Sequence, residues 1–275
     1  MKVWKKVVLI IVGLFIIWYF IQIPTNHRNW TNDQKVLSYA EIEDDLVHMK
    51  NIRNNVYRST EDYDVHYYDK TFDIDELETI DFMVEPFAQW EGAAHTFLTF
   101  GFGPEESREY VVISVEIRKE IGEHFSTWKG MLKQYELQYV FGDERDLIKL
   151  RTNYRKDNVY LLPIKGDNEK FKLVFMDMVK RTNKLKEDPE FYNTLTSSCT
   201  TNIVDHVNKI SPKRIPTWDF RIIAPGYSGK LAHEVGLIDT EFSWENAKQY
   251  YKINSRAEQY GDSEDFSKRI RDYGS

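Results

Sequence analysis

The chain has 275 residues, a formal net charge of −7 and a single cysteine. An acidic protein is a poor partner for nucleic acid, and one cysteine allows neither an internal disulfide nor a cysteine-based zinc site. The histidines show no close metal-ligand spacing, and neither a phosphate-binding glycine loop nor a dinucleotide motif occurs. We therefore predict no metal, no cofactor and no nucleic-acid partner.

The first residues predict a membrane anchor. Residues 1–6 are basic, and residues 7–23 are apolar except for Gln22. At about 1.5 Å per residue, such a helix is just long enough to span a bilayer. Lysines before the apolar run and few basic residues after it place residues 1–6 in the cytoplasm and the main domain outside. A cleaved signal peptide is the alternative, although the run lacks a small-residue cleavage site.

Residues 24–48 have the composition of a polar linker, and a hairpin is predicted further on. Residues 94–103 are rich in aromatic and β-branched side chains, which favours a strand that ends at a turn. Residues 110–118 alternate with period two, so that residues 111, 113, 115 and 117 share one face. The two strands are expected to pair in antiparallel fashion.

This hairpin would bring an imidazole next to a carboxylate. His95 lies near the start of the first strand and Glu116 near the end of the second, and these ends are neighbours in an antiparallel pair. Cysteine catalysis needs a histidine to hold the proton and a polar group to orient the ring. Glu116 is our choice for that group, with Ser114 as a substitute. A structural core histidine and a structural ion pair of Glu116 with an arginine are the alternatives.

Beyond the hairpin, the sequence predicts a strand over 130–141, a charged turn over 142–146, a short strand or loop over 147–155, a strand over 158–164, a helix over 168–184 and a charged, partly helical tail over 241–275. Pro163 places its strand at a sheet edge, because proline cannot donate a hydrogen bond to a neighbouring strand.

Cys199 is the strongest candidate for chemistry. Small hydroxyl residues precede it, and apolar residues follow at helical spacing over 203–207. This pattern predicts a helix that begins at or just before Cys199, with Ser197 or Ser198 as the N-cap. The N–H groups and the dipole at that end would favour the thiolate, which is the reactive form of a cysteine. A small buried hydrophobe is the alternative, because free cysteine is among the most buried residue types.

Several motifs, in one order, resemble the Lnb N-terminal periplasmic-domain family. They are His95 to Phe102, Ser114 to Glu120, Gly142 to Asp146 with Arg151, Ser198 to Asn202, and Ile222 to Tyr227. The resemblance implies an α+β protein with a permuted papain-like, NlpC-type fold, in which an antiparallel sheet packs on a cysteine-bearing helix. It implies a periplasmic catalytic domain over residues 49–240, which the transmembrane helix predicted from residues 7–23 would hold at the inner membrane.

The activity that the resemblance implies is a thiol acyltransferase of bacterial lipoproteins. Cys199 matches the nucleophile and His95 the general base, with Glu116 as the third member. Possible supporting residues are Ser114, Arg118, Ser198, Thr200, Glu144, Arg145, Asp146 and Arg151. A structural ion-pair network is the alternative for the charged ones. The partners expected are a phospholipid acyl donor and a lipoprotein acceptor; the oligomeric state is not predicted.

Two other functions stay open. Family members named for lipoprotein acylation carry further membrane-spanning helices after this domain, whereas this chain has one N-terminal anchor. A cysteine amidase or peptidase acting on envelope peptides would be favoured by a charge-lined groove. A non-catalytic envelope protein would be favoured by loss of the Cys199–His95 contact. The aromatic residues that would either shape an acyl groove or pack in the core are Trp90, Phe97, Phe100 and Phe102.

Overall fold

The structure, a computed structural model, describes residues 3–211 and 214–274. Met1 and Lys2 of the predicted cytoplasmic N-terminus lie outside the described residues. The helices are α1 Val3–Ile21, α2 Thr127–Met131, α3 Glu144–Lys149, α4 Asn168–Glu187, α5 Cys199–Ile210, α6 Phe220–Ile223, α7 Ser228–Glu234, α8 Trp244–Tyr250, α9 Asn254–Gln259 and α10 Phe266–Arg269. The strands are β1 Tyr39–Glu43, β2 Leu46–Arg53, β3 Val56–Tyr57, β4 Tyr63–Asp64, β5 Tyr67–Asp73, β6 Leu77–Pro86, β7 Ala94–Phe102, β8 Glu109–Arg118, β9 Glu136–Gly142 and β10 Tyr160–Pro163.

Helix α1 has the properties of the predicted anchor. Its 19 residues are long and apolar enough to cross a membrane, and the helix buries none of them against the rest of the chain. An apolar helix that is exposed all round needs an apolar solvent.

The protein is α+β, and its main sheet is mixed. The strand order is β1-β2-β9-β8-β7-β6-β10, with β5 paired to β2. Strands β2 and β9 run parallel at the pair Arg53 and Gly142, so the prediction of a wholly antiparallel sheet is wrong. The chain between β2 and β9 is long, so the two strands can pair in either the parallel or the antiparallel direction. A tight hairpin would allow only antiparallel pairing. The proline-containing strand β10 lies at the edge of the sheet, as predicted.

Strands β7 and β8 form the predicted antiparallel hairpin. Their pairs run from Phe102 opposite Glu109 to Phe97 opposite Ser114. Beyond that last pair, the start of β7 and the end of β8 no longer belong to one ladder. The sheet therefore opens at this end, between the strand segments that carry His95 and Glu116.

The two faces of the sheet bury different helices. Ala94, Leu98 and Phe100 of β7 belong to the larger core, which also contains residues of α4 and α5. Phe97, between them, belongs to a second core with residues of α3, α9 and α10. This alternation follows from the two-residue period of a strand.

Residues 147–155 differ from the prediction. Helix α3 continues into a π-helical turn over Leu150–Arg155, which ends where Lys156 adopts a left-handed backbone with a φ of 60°. Asp143 caps α3 by accepting a hydrogen bond from the Arg145 N–H (2.9 Å). The prediction of a strand or loop over residues 147–155 is therefore wrong. The Asp143 cap lies within the predicted charged turn, and the helix that begins there continues through these residues.

The segments on either side of the predicted domain also contact it. Trp30, within residues 24–48, is buried. At the other side, Arg271 makes hydrogen bonds to Asp81 (3.0 Å) and Glu144 (2.6 Å), and all three side chains are buried or nearly so. The predicted domain boundaries stay predictions, but the charged tail is packed against the sheet.

Candidate active site

Helix α5 begins at Cys199, and its first turn is held by a capping box. Ser198 is the N-cap and accepts a hydrogen bond from the Thr201 N–H (3.3 Å), while the Ser198 N–H donates to Thr201 Oγ1 (2.6 Å). Among the described residues, no protein acceptor takes the N–H groups of Cys199 and Thr200. Such groups at a helix start can hold an anion next to the thiol.

A cavity of about 250 Å³ lies between Cys199 and the open end of the β7–β8 hairpin. Cys199 itself is only 5 % exposed, so this cavity is the route by which a reagent meets the sulfur. The cavity wall is formed by Asp33, Gln34, Arg53, Glu85, Phe87, Ala94, His95, Val115, Glu116, Ile117, Lys119, His124, Phe125, Leu150, Arg151, Arg155, Tyr192 and Cys199.

A relay of three side chains orients the imidazole. His95 Nε2 lies 2.8 Å from Ser114 Oγ, and Ser114 Oγ donates to Glu116 Oε1 (3.0 Å). An ionised carboxylate only accepts, so the serine proton points to Glu116 and the serine oxygen accepts from Nε2–H. This assigns the Nε2–H tautomer to His95, with the lone pair of the base on Nδ1. Glu116 itself is 3.9 Å from Nε2, so Ser114 makes the direct contact.

Arg53 and Arg151 keep Glu116 ionised. Burial alone would raise the pKa of Glu116, but the guanidinium groups of Arg53 and Arg151 hold that pKa well below its ordinary value. Arg151 Nη2 donates to Glu116 Oε1 (3.1 Å), and Arg151 Nε donates to Glu85. The guanidinium of Arg151 thus bridges Glu116 on β8 and Glu85 on β6, across strand β7, which carries His95.

His95 is neutral at neutral pH. Burial lowers its pKa, and the Arg151 charge lowers it further, to about 3, although Glu116 acts in the opposite direction. A neutral imidazole is the form that can accept a thiol proton.

We expect the low pKa of His95 to make the folded state sensitive to acid. The unfolded histidine titrates near 6.5 and the folded one near 3, so the unfolded state binds the extra proton in between. Stability should fall as pH drops through this window, by about 2 kcal/mol at pH 5 for this group. Urea unfolding at pH 7.5 and pH 5 should show a smaller loss for His95→Gln than for the wild type. Equal losses in the two proteins would contradict the assignment.

The thiol and the imidazole do not touch in this structure. Within the described part of the chain, no hydrogen bond joins Cys199 Sγ to His95, and Sγ lies 3.8 Å from Thr200 Oγ1. Cys199 belongs to the larger core, whereas His95 shares the face of Phe97, with which its ring stacks at 5.4 Å. The two groups therefore approach the cavity from opposite faces, through the open end of the hairpin. The absence of this contact is what was expected of a non-catalytic envelope protein, although catalytic contacts are often long in ligand-free structures and tighten with substrate.

Residues 63–226 match the Lnb N-terminal periplasmic domain family. The chain belongs to this family. The matched segment contains Cys199, His95, Ser114 and Glu116. Comparisons with curated proteins and with solved structures found no match. The family and the apolar helix α1 together indicate a membrane-associated periplasmic protein.

The acidic motif residues of the Lnb N-terminal domain serve the packing of the sheet in this structure. Glu144 is fully buried and accepts hydrogen bonds from Thr99 Oγ1 (2.6 Å) and Arg271. Asp146 is fully buried and accepts two hydrogen bonds from Arg53 (2.9 and 3.1 Å). Neither side chain lines the cavity that contains Cys199.

The remaining supporting candidates divide between the site and its surroundings. Arg145 is exposed on α3, and Arg118 is buried with its guanidinium 4.3 Å from the ring of Trp30. Thr200 contacts Thr96 on β7 (2.9 Å), which ties the start of α5 to the histidine strand. All supporting roles stay predictions.

Most residues of the cavity wall were not predicted from the sequence, among them Glu85, Arg53 and Tyr192. Glu85, opposite His95 in the β6–β7 register, was missed because β6 was not predicted, although residues 79–85 alternate in polarity. Its burial raises the pKa of Glu85 to about 7, against the effect of Arg151. Arg53 and Tyr192 come from distant segments, and no local pattern connects them with Cys199. Among residues 3–211 and 214–274, no cluster of side chains suited to a metal ion occurs.

Proposed function

We propose that the protein is a membrane-anchored periplasmic cysteine acyltransferase that works through a thioester on Cys199. The observation that carries this proposal is the Glu116–Ser114–His95 relay, which leaves Nδ1 as the base in the same cavity as a cysteine at a helix start. Cysteine at a helix N-terminus and histidine on a neighbouring strand agree with a permuted papain-like, NlpC-type arrangement. The orientation with residues 1–6 in the cytoplasm belongs to the same proposal.

In the first step, Cys199 Sγ attacks the ester carbonyl carbon of a phospholipid while His95 Nδ1 takes the thiol proton. The carbonyl oxygen becomes an oxyanion, which the N–H groups of Cys199 and Thr200 can hold. One such donor is typically worth about 2.7–4 kcal/mol in the transition state. The ester C–O bond then breaks, and the leaving alcohol takes the proton from Nδ1. The products are an acyl thioester on Cys199 and a lysophospholipid.

In the second step, the amine of a lipoprotein N-terminus attacks the thioester carbonyl. The new C–N bond forms, the C–S bond breaks, and the amine proton passes through His95 Nδ1 to the departing sulfur. The relay to Glu116 stabilises the transient imidazolium without becoming protonated itself. Because the pKa of free His95 is low, this imidazolium is short-lived and returns its proton readily.

A second, apolar cavity beside α5 favours an acyl substrate, although it is separate from the catalytic cavity and Cys199 does not line it. Its volume is about 270 Å³, and Thr200, Ile203 and Val207 of α5 form part of its wall. By contrast, Phe97, Phe100 and Phe102 are buried core residues and Trp90 is exposed on a loop, so these aromatics do not form the acyl groove that the sequence allowed.

A cysteine amidase or peptidase is the second candidate. The observation in its favour is the charge of the catalytic cavity, whose wall includes Asp33, Lys119 and Arg155 besides the relay residues. A polar peptide would find partners for its amides there, whereas an acyl chain would not.

The test is a search for the acyl thioester. The full chain is incubated in detergent with phospholipid and analysed by intact-protein mass spectrometry, alongside Cys199→Ser. We expect an acyl-chain mass increase on the wild type that hydroxylamine removes and that the variant lacks.

Two other outcomes would contradict the proposal. A wild-type thiol that is alkylated readily but never acylated would favour the amidase or peptidase. A thiol that neither acylates nor alkylates would favour a buried structural cysteine in a non-catalytic envelope protein.

A further inference from the structure

The loop between β8 and β9 carries large apolar side chains that no other part of the described chain covers. We call residues 119–135 the interfacial loop. Ile121 is 61 % exposed, Phe125 46 % and Trp128 74 %. Leu195, which is 42 % exposed, lies on the neighbouring segment before α5. A cluster of such size on a soluble surface marks an interaction site.

This loop is fixed rather than loosely extended. Tyr135 is fully buried and donates from its hydroxyl to the His124 carbonyl (2.5 Å). Thr194 Oγ1 donates to the Thr127 carbonyl (2.9 Å). A Cβ on Gly130 would lie 2.3 Å from Thr194 Oγ1, so a larger residue there would displace the Thr194 hydroxyl from this hydrogen bond.

The interfacial loop lies at the outer end of the membrane helix. Lys133 Nζ is 4.5 Å from the ring centre of Tyr19 and 5.7 Å from that of Phe20, both at the end of α1. Aromatic residues at the end of a membrane helix sit at the level of the lipid headgroups. Lys133 is therefore at the same level, and its ammonium suits an anionic headgroup.

The connection between α1 and the domain is short and is held to the domain by hydrogen bonds and an ion pair. The Thr25 N–H donates to Glu136 (3.2 Å), Arg28 forms an ion pair with Glu136 (2.8 Å), and the Ile121 N–H donates to the Asn29 carbonyl (2.9 Å). These contacts hold the loop beside the helix end instead of letting the domain swing away from the bilayer.

The apolar surface of the loop continues into the catalytic cavity. Phe125 packs edge to face on Phe87, with ring centres 5.8 Å apart, and both side chains line the cavity that contains Cys199. Phe125 thus connects the interfacial loop with the mouth of the catalytic cavity.

We propose that Ile121, Phe125, Trp128 and Leu195 are inserted into the interfacial layer of the membrane that α1 spans. Burial of these side chains in lipid removes their exposed apolar area from water. If the proposed acyltransferase function holds, a phospholipid ester then reaches Cys199 from the bilayer through the Phe125–Phe87 mouth without crossing water.

The depth of the loop is measured with a fluorescent probe in the full chain. Trp128→Cys in a Cys199→Ser background is labelled with a nitrobenzoxadiazole maleimide and reconstituted in phosphatidylethanolamine–phosphatidylglycerol vesicles. Trp218→Cys in the same background is the matched control, because Trp218 is 78 % exposed and lies outside the interfacial loop. Ile121→Cys provides a second position in the loop.

We expect phospholipids with a nitroxide near the top of the acyl chain to quench the probe at 128 and 121 several-fold more strongly than at 218. Aqueous iodide should show the reverse order. A probe at 128 that iodide quenches freely would overturn the proposal. A probe shielded from both quenchers would overturn it in favour of a protein partner on this surface. Quenching does not depend on catalysis. Membrane insertion is therefore tested independently of the acyl-transfer assay, and a failure of one result can be told from a failure of the other.

Discussion

We expect Ser114→Ala to lower the kcat/KM of acyl transfer by about 10²- to 10⁴-fold, the range found when a base loses its orienting partner. Ser114 is fully buried and stands between His95 Nε2 and Glu116. Without its hydroxyl, Glu116 is 3.9 Å from Nε2, and the ring can adopt the tautomer whose Nδ1 carries a proton and cannot accept one.

Ser114 is a positioning residue, so the test needs a readout that simple destabilisation does not change. The rate of Cys199 alkylation by iodoacetamide is measured against pH, together with urea unfolding. We expect slower alkylation and an altered pH profile for Ser114→Ala with an intact fold. Ser38→Ala is the control, because Ser38 is also buried but donates to the Asn51 carbonyl (3.2 Å) and lines neither the catalytic cavity nor the apolar one. Equal rates and profiles for wild type and Ser114→Ala would exclude the relay.

We expect Arg151→Met to destabilise the fold by about 3–5 kcal/mol, as is usual when one partner of a buried ion pair is removed. Arg151 lies between Glu85 and Glu116, and its guanidinium also packs 4.8 Å from the ring centre of Phe97. Methionine fills similar volume but leaves Glu116 buried without its nearest cation. Denaturant unfolding at pH 8, where Glu85 also tends to be ionised, should show the loss most clearly.

Arg58→Met is the matched control for Arg151→Met. Arg58 also bridges two carboxylates, Asp62 and Asp64, but its ion pairs are exposed to solvent. Exposed pairs contribute little, so the midpoint of unfolding should hardly move. Similar losses in the two variants would mean that the Arg151 cluster is not a special feature of the site.

The part of the site that local patterns specify could be predicted from the sequence. The period-two alternation of residues 110–118 gave the β7–β8 hairpin and hence the neighbourhood of His95 and Glu116. The relay through Ser114 depends on side-chain directions at the open end of that hairpin, which a strand pattern does not contain.

The parts that depend on distant contacts could not be predicted. The pairing of Arg53 with Asp146 joins residues that no local motif connects. The segment 241–275 was expected to be a charged tail because its apolar residues are sparse, yet Ile253, Phe266 and Ile270 are fully buried. The average composition of the segment does not reveal a few apolar residues, whereas packing depends on the position of each of them.

The position of Arg271 has a consequence for the order in which the chain can fold. Its partner Asp81 lies 190 residues earlier, and Glu144 shares the same guanidinium. Until residue 271 has been synthesised, Asp81 and Glu144 lack the guanidinium that pairs with both of them in the folded chain, and a buried carboxylate without its partner is costly. The early strands therefore gain their full stability only once the last residues of the described chain have been added.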